Sequence, residues 1–157
     1  MSQRKVVLAT VVLTLEFVAL SSFFRVNLPG GIQIDPGYII FGAALYDIGL
    51  YASFVGVTGS VIVAAIFSAN MYPFGLIAAN IVVGLCGGIF CERTKKWGWM
   101  MAAIVLLSVV GYLLKSLIEC LIYGFPFVMQ IQFNYKMCIT NTMLMLLGIF
   151  LSAKLSW

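Results

Sequence analysis

Lys115 and Glu119 stand four residues apart within an apolar run, Trp97–Ile122. On a helix that spacing places them on one face, where they either neutralise each other or hold the two ends of a polar ligand. Tyr112, three residues before Lys115, extends the same face. The next apolar run is polar through its first half, with Gln130, Gln132, Asn134, Tyr135, Lys136, Thr140, Asn141 and Thr142. Asn134 and Asn141 lie seven residues apart, two turns along one stripe. Asn80, in an earlier run, is placed to complete a ring with them. Glu16 sits alone halfway along the first run; pairing with Lys115 or Lys136 across a bundle, or protonation, would each account for it. A charge facing lipid costs about 2.5–3.5 kcal/mol on insertion scales, so these residues mark either a ligand site or hydrogen bonding between helices.

Covalent chemistry is not expected from this chain. It has no histidine, hence no Ser/His/Asp set and no HExxH motif, and it has no paired carboxylates. Cys86, Cys91, Cys120 and Cys138 show no CxxC spacing and read as small core hydrophobes, so neither a cofactor nor a metal is expected. No Walker motif is present.

The elements that position these residues follow from composition. With 63% hydrophobic and 9% charged residues, the 157-residue chain cannot cover a soluble surface. It reads as one integral membrane domain, residues 1–157, of all-α class. Punctuation by Gly, Pro and charge separates six segments: Val6–Phe24, Pro36 to about Asp47, Gly49 to about Ser68, Phe74–Cys91, Trp97–Ile122 and about Gln132 to Ala153. Val6–Phe24 is too long for a signal-peptide core and lacks a small-residue cleavage site, so it reads as a retained helix. The break at Tyr46-Asp47-Ile48-Gly49 is thin, and a single kinked helix there would leave five spans.

Basic loops stay cytoplasmic, and this decides between the counts. With Arg4 and Lys5 inside, six spans also place Arg93, Lys95, Lys96 and Lys154 inside, leaving Arg25 and Lys136 toward the other side. The expectation is therefore six transmembrane helices with both termini cytoplasmic. The basic residues lie at helix ends and form no stripe, so nucleic acid is not an expected partner. Gly56-Val57-Thr58-Gly59-Ser60 and Gly84-Leu85-Cys86-Gly87-Gly88 read as close-packing surfaces between helices.

Taken in order, Asp35-Pro36-Gly37-Tyr38-Ile39-Ile40-Phe41, Gly49 through Ser60, Tyr72-Pro73-Phe74, Val83 through Gly88, and Glu119-Cys120-Leu121-Ile122-Tyr123-Gly124 resemble the substrate-binding S components of energy-coupling factor transporters. The resemblance covers nearly the whole chain. It implies a six-helix bundle in a prokaryotic plasma membrane that captures a water-soluble vitamin or related micronutrient at the outer face. Delivery would then depend on a transmembrane coupling subunit and two ATPase subunits. Carried onto this sequence, the lid loop is Asn27 to Asp35, with Asn27, Gln33 and Asp35 as its polar residues. The cavity draws on Asn80, Tyr112, Lys115, Glu119, Gln132, Asn134 and Asn141. Many members dock through an alanine pair four positions apart in the first helix. Here Ala9 is followed by Leu13, and Thr10 with Thr14 is the nearest small pair.

Trp97, Trp99 and Trp157 fall at the expected cytoplasmic boundary, away from the cavity. A compact ligand with a charged or zwitterionic end, such as pantothenate or a pyridoxine-type vitamin, suits the site better than a large aromatic one. Without histidine, nickel or cobalt capture is not expected. The competing readings are a membrane scaffold or assembly subunit and a stand-alone secondary carrier.

Overall fold

A computed structural model describes residues 3–30, 32–67, 73–94 and 96–155. Gly31 of the expected lid loop, Ser68 at the expected end of the third segment, the stretch from Ala69 to Tyr72 that follows it, the loop cation Lys95 and the boundary residue Trp157 lie outside the described residues.

Helices dominate. The order is α1 (Gln3–Phe23), a hairpin of β1 (Val26–Leu28) and β2 (Ile32–Ile34), α2 (Gly37–Asp47), a 3-10 turn (Gly49–Tyr51), α3 (Ala52–Phe67), α4 (Pro73–Val82), a π turn (Val83–Gly87), α5 (Gly88–Arg93), α6 (Trp97–Tyr123) and α7 (Phe127–Leu155). Because α4, the π turn and α5 run on without a break, they form one rod, and the described residues make six rods. Five of them are long and apolar enough to cross a membrane. The sixth, α2, has 11 residues and is about 16 Å long, less than the hydrocarbon thickness of about 30 Å.

The thin break after α2 is real. Ile48 closes α2 through its N–H to the Ala44 carbonyl, and Gly49 turns the chain with φ +57°, a conformation that side chains disfavour. At this end Leu50 N–H donates to Glu92 Oε1 (3.1 Å), and Ser152 Oγ donates to Asp47 Oδ1 (2.6 Å). At the opposite end the segment between α1 and α2, expected only as a loop, pairs as an antiparallel hairpin, Val26 with Ile34 and Leu28 with Ile32. Pro29 and Gly30, the latter at φ +81°, begin its turn, Pro supplying a fixed φ and Gly a positive one.

Two kinds of contact hold the bundle. Phe17, Tyr38 and Phe41 form an edge-to-face series with centroids 5.7 and 6.1 Å apart, joining α1 to α2. Between α2 and α7 the contact is backbone to backbone: a Cβ on Gly42 would overlap the Met145 carbonyl, and one on Gly148 would overlap that of Ile39. Gly84 packs likewise on the backbone of Ser53, and Gly88 on that of Gly49, so part of the glycine-rich stretch in α4–α5 lies against the start of α3. Close approach of this kind is how helices associate where water does not drive them together.

α7 begins at Phe127, five residues before the position read from the sequence. Of the polar residues in its first half, Gln130, Asn134, Asn141 and Thr142 are buried against protein, while Gln132 and Tyr135 are exposed.

Candidate ligand-binding site

Lys115 and Glu119 of α6 make an ion pair (Nζ to Oε1, 2.5 Å), with side chains 5% and 1% exposed. The i, i+4 spacing places both carboxylate and ammonium toward α7, which supplies Asn134. Lys115 Nζ also donates to Asn134 Oδ1 (2.7 Å). Asn134 Nδ2 donates to Glu119 Oε2 (2.8 Å) and to Ser116 Oγ (3.0 Å), and Ser116 in turn donates to the Tyr112 carbonyl (2.9 Å). Both oxygens of Glu119 and every polar hydrogen of Asn134 are thus engaged, while Lys115 uses two of its three donors. Gly75 of α4 leaves room for this pair; a Cβ there would come within 2.9 Å of Lys115 Cγ.

A second polar group lies beside the first. Tyr38 OH donates to Asn80 Oδ1 (3.3 Å), and Asn80 Nδ2 donates to Ser60 Oγ (2.7 Å) and to the Gly56 carbonyl (3.2 Å). Asn141 Nδ2 donates to Tyr112 OH (2.5 Å). The Tyr38 and Tyr112 side chains lie near each other, so the group tying α6 to α7 adjoins the one tying α2, α3 and α4.

The structure therefore brings together Asn80, Tyr112, Lys115, Glu119, Asn134 and Asn141. Gln132 is not among them: it is exposed, because two residues along a helix from Asn134 is about 200° around the axis. Gln130, a full turn before Asn134, is the buried glutamine. Tyr38, Ser60 and Ser116 join the network without having been expected. A tyrosine in an apolar run and serines beside glycines or charges read equally well as packing, so the sequence carried no distinct signal for them.

Of the lid residues, Asp35 holds the base of the hairpin. Its Oδ2 accepts from Arg25 Nη2 (2.7 Å), and its Oδ1 accepts from Ser21 Oγ (2.5 Å) and from Gly37 N–H (3.1 Å), the last satisfying an open donor at the start of α2. Lys136 of α7 reaches the other end of the hairpin and donates to the Gly30 carbonyl. Asn27 and Gln33 face each other across the strands, Asn27 exposed and Gln33 half-buried.

A void of about 10 Å³ sits between Asp35, Arg25, Tyr38 and Ser60, at the lower limit for one water. The larger space beside the cluster is a crevice of about 240 Å³ on the side of the bundle between α6 and α7, bordered by Tyr112, Ser116, Asn134 and Cys138 and otherwise apolar. Among the described residues each amide and carboxylate of the cluster has a partner on a neighbouring helix.

The expected docking set turns inward. Ala9 and Leu13 pack against the core, and Thr10 and Thr14 donate to the carbonyls of Val6 (2.8 Å) and Thr10 (2.7 Å) in their own helix. Glu16 pairs with neither Lys115 nor Lys136: both lysines are engaged elsewhere, and Glu16 is exposed on the outer side of α1.

No protein-family model matches the chain, and no curated protein or solved structure does.

Proposed function

We propose that this chain is the recognition subunit of a membrane transporter, capturing a small, water-soluble, vitamin-like molecule at the hairpin end of the bundle. The observation that carries the reading is the buried Lys115–Glu119–Asn134 cluster. A buried ion pair is weak evidence for stability, because well-packed apolar residues of similar volume serve as well or better. Inside a membrane bundle, where ionisable residues are rare and costly, such a pair marks a binding or transport path. Its chemistry suits a compact ligand with an anionic and a donor group: the anion meets Lys115 and the donor meets Glu119, with Asn134 bridging either.

In this reading the hairpin end is extracellular, α2 counts as a short sixth span, and both termini are cytoplasmic, in keeping with the distribution of Lys and Arg. The ligand enters beneath the hairpin and exchanges its own hydrogen bonds for those within the network. Energy comes from partner chains, a membrane coupling subunit with two ATPases, as in the S components that the sequence resembles. The plasma membrane of a prokaryote is the corresponding location.

One observation favours a second reading. The cluster satisfies itself, so it can act as hydrogen-bonded glue between α6 and α7 in an assembly subunit. The two are separated by purifying the protein from its native membrane, denaturing it and identifying released small molecules by mass spectrometry, together with a thermal-shift screen of water-soluble vitamins. A released vitamin, or one that stabilises the protein and loses its effect in Asn134→Ala, supports capture. No bound molecule and no stabilising vitamin supports the assembly reading.

A further inference from the structure

The exposed surfaces of the spanning rods are largely apolar, and α1 carries a carboxylate in the middle of its own. Its outward residues include Leu8, Val11, Val12, Leu15 and Ala19, and among them stands Glu16, exposed, with no hydrogen-bond or ion-pair partner among the described residues. The helix is 21 residues long, about 31 Å, and Glu16 lies about 10 Å from Phe23 and about 20 Å from Gln3. A glutamate side chain is too short to reach an interface over that distance, so the carboxylate is held in hydrocarbon unless another molecule covers it. Val12, Glu16 and Ala19 follow each other at spacings of four and three on this exposed side, and the small Ala19 admits a close neighbouring helix.

We propose that this face of α1 docks a transmembrane helix of a different chain, one that carries a lysine or arginine at the depth of Glu16. A second copy of this chain does not fit. Two-fold pairing through α1 sets Glu16 against Glu16. Nor has the chain a free mid-membrane cation to offer: Lys115 is buried and paired, Lys136 is engaged by the hairpin, and the other basic residues lie outside the apolar segments. The partner is thus defined by its chemistry, a cationic spanning helix, and the docking surface is the opposite side of α1 from the inward-turned Ala9, Thr10, Leu13 and Thr14. This rests on reading the chain as one subunit of a larger membrane assembly. Association is measured without ligand, so its outcome and that of the vitamin screen are independent.

The test uses the full chain, labelled with a fluorescence donor and reconstituted in phosphatidylcholine vesicles, with acceptor-labelled synthetic spanning peptides that have Lys, Gln or Leu at the centre of a Leu/Ala host. The Lys peptide is expected to associate roughly three- to twenty-fold more tightly than the Leu peptide, the range of one polar contact between helices. Glu16→Leu should remove that preference while leaving the melting temperature of the isolated chain unchanged or higher, and Glu16→Lys should transfer it to a peptide with a central Glu. Equal binding of the Lys and Leu peptides overturns the proposal. So does a preference that survives Glu16→Leu, or energy transfer between copies of the chain that Glu16→Leu abolishes.

Discussion

α7 packs on two neighbours by different means. Toward α2 it presents Gly148 and Met145, and backbone meets backbone, with a polar contact from Ser152 to Asp47 at the end of α2. Toward α6 it presents Asn134 and Asn141, and the helices meet through amides, a tyrosine and an ion pair. The first arrangement rests mainly on shape, which suits a permanent contact. The second places charges and hydrogen-bond donors where apolar residues would pack as well, and it leaves a crevice of about 240 Å³ alongside. One helix thus separates a contact made by shape from the polar contact on which the proposed recognition rests.

The sharpest way to break that comparison is at the dry contact. Gly148→Leu drives a side chain into the Ile39 backbone, where no rotamer relieves the overlap, so α2 and α7 cannot meet. The expected outcome is loss of folded protein by size-exclusion chromatography in detergent. Next in size is Glu119→Ala, which leaves the Lys115 ammonium buried without its counter-charge and should cost about 3–5 kcal/mol, read by thermal or denaturant unfolding. A smaller effect is expected from Asn141→Ala, which removes the bond to Tyr112 OH; polar contacts between membrane helices average about 0.6 kcal/mol and reach about 1.7. If Asn141→Ala proved as damaging as Gly148→Leu, the division between packing and recognition contacts would not hold.

Both kinds of contact were legible in the sequence to different degrees. Polar residues within apolar runs announce themselves, so Lys115, Glu119, Asn134, Asn141, Asn80 and Tyr112 are legible in the sequence alone. Their periodicity sets which of them share a face, and Gln132 fails that test against Asn134 by its spacing of two. What could not be read is how tightly the ring closes: whether two amides face each other or a cavity depends on helix separations of an ångström or two. Gly42 and Gly148 gave no sign, since each is a single small residue without a repeating pattern, and only the crossing of α2 and α7 brings them into register. The π turn Val83–Gly87 sits in a stretch that reads as uninterrupted helix. The hairpin was hidden for a related reason: Val26, Leu28, Ile32 and Ile34 alternate correctly, but three residues per strand is too short a pattern to distinguish from a loop.

The central claim is that the Lys115–Glu119 pair is kept for recognition and not for stability. It is tested by replacing both charges together, Lys115→Met with Glu119→Leu, and measuring melting temperature and vitamin binding on the same purified sample. The account predicts a melting temperature equal to or above that of the parent, because no uncompensated charge remains, together with loss of the vitamin-induced stabilisation. A double variant that melts well below the parent, or that binds its vitamin undiminished, would contradict it.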